Sequence, residues 1–362
     1  MGRALVGIIF VLLTAMAGPA AASDLVLDAE SGFTVPVEIN GVTLRLRVDP
    51  AASGLVILNP GAAARARLSP EIKPPNTFLP GSFRRHSYAR IGPVSLTGLT
   101  SRAPALIAGR PAELRMIWFD RDALAGADGL ISVASLPFDR IVLRLGPARE
   151  GETGLSFQLD FSTEMGLYFP YPLGERTLPI QFSVWRQDNM STAAAGALLA
   201  GIHTGTWQGD YARRIVNFGV DRPVRPMALG RPIDLHGFSV GRFLVRTGDY
   251  RGGYALPTDA ADPDEIVVTA MGTHQAARLN LTLGRGQFAR CSAVTFEAAA
   301  RRLTFSCAHN PPIAEAPESR PAPSDGVVPR SRRAASRSGR AARLMNQSGQ
   351  RGTTDALRLP LQ

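Results

Sequence analysis

The sequence predicts an all-β protein of two similar β-lobes with short helices, and three observations carry that expectation. Glycine (36) and proline (28) are abundant among 362 residues, which favours many turns between short strands. No stretch alternates strands with helices in the regular way that builds a doubly wound parallel sheet. Residues 30–307 carry a weak internal repeat, which points to two copies of one unit. Hydrophobic residues make up 45% and charged residues 19% of the chain, a balance that excludes wholesale disorder.

Taken in order, residues 1–22 read as an export signal. Arg3 supplies the positive start, Ala4 to Ala17 is apolar, and Ala20-Ala21-Ala22 offers a cleavage site before Ser23. The expected location is therefore periplasmic or secreted. A first lobe is expected over 30–150, a Gly/Pro-rich inter-lobe linker over 151–177, and a second lobe over 178–307. In the first lobe Asn59 can cap a short helix, Pro60 fits its first position, and Ala62 to Ala66 propagate it. Near the end, two short strands around a turn at about residue 299 place Cys291 opposite Cys307. An oxidising compartment would close that pair into a cross-strand disulfide. Residues 308–362 are a disordered Pro/Arg-rich tail with nine arginines against four acids, which places half of the formal net charge of +10 there.

The repeat rests on three matched pairs. Val35-Pro36-Val37 matches Leu178-Pro179-Ile180, each leading to an Ala-rich turn, Asp49 to Gly54 in one half and Ser191 to Gly196 in the other. Pro93 to Leu99 matches Pro232 to Phe238. Asp128-Gly129-Leu130-Ile131-Ser132 matches Leu281-Thr282-Leu283-Gly284. In the second and third pairs apolar residues alternate or cluster as in half-buried and buried strands.

Residues 33–66 resemble the first half of a bacterial retropepsin-like aspartic peptidase. Leu44-Arg45-Leu46-Arg47-Val48 delivers Asp49 into a tight turn, where Asp49, Ala52, Ser53 and Gly54 match the family motif Asp-Thr-Gly-Ala-Ser. Leu55 to Leu58 then supply an apolar strand. The element around Asp128-Gly129 is similar to the family's later apolar-pair-and-Gly segment, as is Thr282-Leu283-Gly284. Two such halves resemble the pepsin-type bilobal arrangement. The resemblance implies an inter-lobe cleft lined by Ser53, Gly54, Asp128 and Gly284, with a flap-like segment around Tyr88 to Ser101. It also implies two carboxylates sharing one proton, one activating water and the other polarising the scissile carbonyl.

The sequence departs from that pattern. Pro50 replaces the Thr, Ala51 replaces the Gly, and Ser132 replaces a later Gly. Ser191 and Thr192 stand where the second Asp is expected, and a three-residue shift would bring in Asp188 instead. The leading expectation is an aspartic-endopeptidase fold with its second catalytic Asp missing, which binds an extended peptide or protein ligand in the cleft. An active endopeptidase pairing Asp49 with Asp188 is the alternative. A third reading is an envelope protein whose basic tail meets anionic surfaces. No cofactor is expected. The five His show no ligand spacing, so no metal is expected either. Nucleic acid is not an expected partner: all basic residues but Lys73 are Arg, which reads as a compositional bias.

Overall fold

A computed structural model describes residues 23–71, 86–257 and 277–308. The expected signal (1–22) and the tail from residue 309 onward lie outside the described residues. The protein is all-β, with two α-helices and single 3-10 turns at Val133–Ser135 and Arg285–Phe288 among the described residues.

The first half begins with β1 (Asp24–Asp28), β2 (Thr34–Ile39) and β3 (Val42–Val48). Val35, Val37 and Ile39 of β2 are buried, as are Leu44, Leu46 and Val48 of β3, while the residues between them face outward. That period of two is what a sheet with one buried face requires. Asn40 (φ 50°) and Gly41 (φ 75°) make the two-residue turn between them, both in the left-handed conformation such hairpins need. The three-residue strand β4 (Val56–Leu58) leads into α1 (Pro60–Arg65). Pro60 opens the helix as expected, but the Asn59 side chain does not cap it. Its Oδ1 accepts from the Ala123 N–H at 2.8 Å and its Nδ2 donates to the Leu124 and Ala127 carbonyls, anchoring a distant loop. Then come β5 (His86–Ile91), β6 (Val94–Ile107), β7 (Arg110–Phe119), β8 (Gly129–Ile131) and β9 (Arg140–Arg144).

The expected linker is not a linker. Residues 151–177 contain β10 (Glu152–Gln158), β11 (Asp160–Ser162) and β12 (Gly166–Leu173), and they enter β13 (Arg176–Phe182). Pro170 and Pro172 made this stretch look like a connection, but the strand tolerates both: Pro170 pairs with Pro179 and Pro172 with Thr177 across a continuous ladder. Next are β14 (Met190–Thr192), α2 (Ala193–His203), β15 (Gly205–Trp207), β16 (Ala212–Ile215), β17 (Asp221–Leu235) and β18 (Phe238–Arg246). The described residues end with β19 (Leu281–Leu283), β20 (Cys291–Glu297) and β21 (Arg302–Ala308). Cys291 faces Cys307 across the last hairpin and the two form a disulfide, as the spacing predicts.

The described residues form three sheets. One runs β2-β3-β8-β4-β7-β6-β5 and closes on itself where β2 also pairs with β6. A second runs β11-β12-β13-β19-β14-β18-β17-β15, with β16 also on β17. The third, β1-β9-β20-β21-β10, gathers the beginning, middle and end of the described chain. The first two share a pairing pattern. β8 lies between β3 and β4, parallel to one and antiparallel to the other, and β19 lies likewise between β13 and β14. β4 runs parallel to β7, and β14 runs parallel to β18.

This pattern corrects two of the three matched pairs. Val35–Val37 lies in β2 but Leu178–Ile180 lies in β13, the counterpart of β3, so that match is one strand out of register. Val94–Leu99 stays within β6, whereas Pro232–Phe238 runs from β17 through the His236-Gly237 turn into β18. The third pair holds its place: Gly129–Ile131 and Leu281–Leu283 have equivalent neighbours.

The described residues form one unit. Its main core includes Phe157, Phe182, Phe238, Phe288 and Phe305, whose contacting rings lie 4.6–6.1 Å apart where the second and third sheets meet the Arg285–Phe288 turn. Such pairs contribute about 0.5–1.5 kcal/mol each beyond their buried area. A second apolar cluster joins the first two sheets, with Ile57, Ile117 and Phe119 among its members from one and Met190 and Val224 from the other. No helix among the described residues is long and apolar enough to cross a membrane.

Candidate functional site

Asp49 is the residue immediately past β3, where the parallel ladder with β8 ends. Its N–H donates to the Ile131 carbonyl at 3.0 Å. Ser183 is the residue immediately past β13, and its N–H donates to the Leu283 carbonyl at 2.8 Å. The two residues therefore hold the same place in the two sheets. They also meet: the Ser183 hydroxyl donates to Asp49 Oδ2 at 2.8 Å, and the Val184 N–H donates to Oδ1 at 2.9 Å. Asp49 is 1% exposed and Ser183 is fully buried.

Burial pushes the Asp49 carboxyl up to about 6, against the lowering effect of the Val184 N–H, the Ser183 hydroxyl, the Arg186 charge and the Ala51 N–H. Burial likewise pulls Arg186 down to about 10, while the Asp49 charge works to keep it protonated. Arg186 donates to the Val216 carbonyl and to Asn217 Oδ1, and its guanidinium lies 5.0 Å from the Trp185 ring centroid. Arg47 lies 5.6 Å from that same ring. Of these groups, the Arg186 charge acts on the Asp49 carboxylate.

The turn after Asp49 is roofed by the β11–β12 connection. The Gly54 N–H donates to the Thr163 carbonyl at 3.1 Å. Gln181 Nε2 donates to the Ala51 and Met165 carbonyls, at 3.2 and 2.5 Å. Gly166 (φ 77°) comes so close that a Cβ there would lie 1.9 Å from the Ala52 carbonyl oxygen. A Cβ on Gly54 would meet the Phe161 ring at 2.6 Å. Ser53 turns inward, its hydroxyl donating to the Leu55 carbonyl.

The other sequence-predicted residues sit elsewhere. Ser191 and Thr192 do not face Asp49. They lie in β14, and Thr192 caps α2 by accepting from the Ala195 N–H while donating to the Arg278 carbonyl at 2.6 Å. The Ser191 hydroxyl is buried without a hydrogen-bond partner among the described residues. Thr192 and Asn59 are counterparts: each stands at a helix N-cap, and their N–H groups donate to the Asn280 and Asp128 carbonyls respectively. Asp188 is half exposed and lies 3.9 Å from Arg214, so it is no partner for Asp49. Among the described residues no carboxylate hydrogen-bonds to Asp49. The Asp128 carboxylate accepts from the Arg45 N–H and pairs with Arg65, tying strands to α1. Gly284 holds the position of Ser132, its N–H donating to Asn189 Oδ1 at 2.9 Å.

Ser183 was missed because the repeat was matched one strand out of register. A signal for it exists. Leu178, Ile180 and Phe182 alternate before Ser183 just as Leu44, Leu46 and Val48 alternate before Asp49.

Apart from the buried pair, the second sheet carries an open groove of about 600 Å³ whose lining includes Asp188, Asn189, Met227, Arg242, Phe243 and Gln287. No protein-family model and no curated protein matches this chain.

Proposed function

We propose that this chain is an exported, aspartic-peptidase-like protein that does not hydrolyse peptide bonds and acts by binding extended polypeptide. The observation that carries the reading is the hydrogen bond from Ser183 to Asp49. Peptide hydrolysis by an acid dyad needs one carboxylate to activate water while a second, protonated one donates to the carbonyl. A serine hydroxyl has no proton of suitable acidity to fill the second role. Both groups are buried, Asp49 at 1% exposure and Ser183 fully.

The equivalent placing of Asp49 and Ser183 supports reading the two sheets as copies of one unit, with the acid kept in one copy and replaced in the other. An apolar cluster packs the first two sheets against each other. Export is supported by the apolar start of the sequence and by the Cys291–Cys307 disulfide. Binding is supported by a sheet that leaves strand edges and a groove open, the features extended chains use to add a strand.

The test is incubation of the full chain with a mixed peptide library from acidic to neutral pH, followed by mass spectrometry. No cleavage above the buffer control is expected, with or without Asp49→Ala. Cleavage by the parent chain that disappears in Asp49→Ala would restore the enzymatic reading.

A further inference from the structure

The groove on the second sheet coincides with an unfinished strand edge. β18 pairs with β17 along most of its length, but β14 pairs it on the other side only over Leu244–Arg246. Ser239 to Phe243 therefore has no strand beside it on the β14 side among the described residues. Two side-chain carboxamides occupy hydrogen-bonding positions there. Asn189 Nδ2 donates to the Arg242 carbonyl at 3.1 Å, and Gln287 Nε2 donates to the Ser239 carbonyl at 3.1 Å. A carboxamide has the chemistry of a peptide group, so both side chains stand in for the backbone of an absent strand.

We propose that this edge is a docking site for an extended polypeptide segment of about four residues, which adds a strand beside β18 in line with β14. This rests on the binding function proposed above and gives it a place and a specificity. The incoming backbone exchanges with the Asn189 and Gln287 amides, one neutral donor for another, so the exchange loses little hydrogen-bond energy. Met227 and Phe243 lie beneath, 1% and 4% exposed, and supply an apolar floor. Arg242 is exposed on the groove and holds no ion pair among the described residues. Its guanidinium selects a segment with an acidic side chain opposite it.

The probe is a short fluorescein-labelled peptide of Val, Thr and Ser with one central Asp, titrated against the full chain by fluorescence anisotropy. Arg242→Glu is expected to weaken binding at least about tenfold and to restore it for the same peptide with central Lys. N-methylation of alternate amides on one edge of the peptide is expected to abolish binding, and on the other edge to leave it unchanged. Binding that ignores both Arg242→Glu and N-methylation would overturn the groove assignment and leave the wider binding function standing. Failure of the parent chain to bind any such peptide would overturn both.

Discussion

At the scale of single residues, Asp49 is a buried acid whose neighbours only partly offset the cost of its charge. Its carboxyl is raised from 3.8 to about 6, chiefly by desolvation. A raised value means that the protonated form is the one the fold favours. That stabilisation is fully present below the unfolded value of 3.8 and is lost as pH rises through about 6. By neutral pH the loss is on the order of 3 kcal/mol. Asp49→Asn keeps an acceptor for the Val184 N–H and gives Ser183 a donor in place of the acceptor, while it cannot ionise. The variant is therefore expected to melt higher than the parent at about pH 8 and no higher at about pH 4, as read by circular dichroism. A parent that melts higher at about pH 8 would mean that Arg186 holds the carboxylate charged in the fold. Asp49 itself stood out as a candidate because a strand pattern and a four-residue motif surround it. Its partner was not, because a hydroxyl in a sequence carries no mark of what it will face.

At the scale of elements, the tip of the β5–β6 hairpin is held on the second half of the chain. Gly92 (φ 59°) sits so close to a buried ion cluster that a Cβ there would lie 2.6 Å from Asp249 Oδ1. Asp249 is paired with Arg246 at 2.7 Å and with Arg222 at 3.8 Å. Gly92→Val adds both a left-handed strain and an overlap with charged groups that cannot easily move. We expect a loss of about 2–4 kcal/mol in urea melts. Binding of a hydrophobic dye should rise as the hairpin lifts from the apolar cluster below it. Unchanged stability and dye binding would show that the contact is not a fastening. The β20–β21 hairpin was legible from two short strands around a turn. β12 was not, because two prolines in eight residues argue against a strand until the facing strand is known to accept them. The start of α2 was not, because Ala193-Ala194-Ala195-Gly196 suits a small-residue turn as well as a helix buried on nearly every side.

At the scale of the whole molecule, the third sheet binds the described chain into one body. β1 and β9 come from its first part, β10 from its middle, and β20 and β21 from its end. The disulfide between Cys291 and Cys307 fastens the hairpin at the centre of that sheet. Closing a loop of 16 residues is worth about 3 kcal/mol in the chain-entropy account. Replacing both cysteines by Ser, or adding a reductant, should lower unfolding stability by about that amount in denaturant titrations. A reductant that leaves the midpoint of the parent unchanged would contradict this.

The sequence by itself determined the strand-rich class, the alternation that buries one face of the strand before Asp49, and the cysteine pairing. All of these are local: they depend on spacing within a few residues or, for the cysteines, across one turn. Tertiary structure alone decided that Ser183 faces Asp49 and that the supposed linker supplies strands to two sheets. The physical reason is register. A strand can pair in several offsets that each satisfy its own alternation, and only the summed packing of its neighbours selects one.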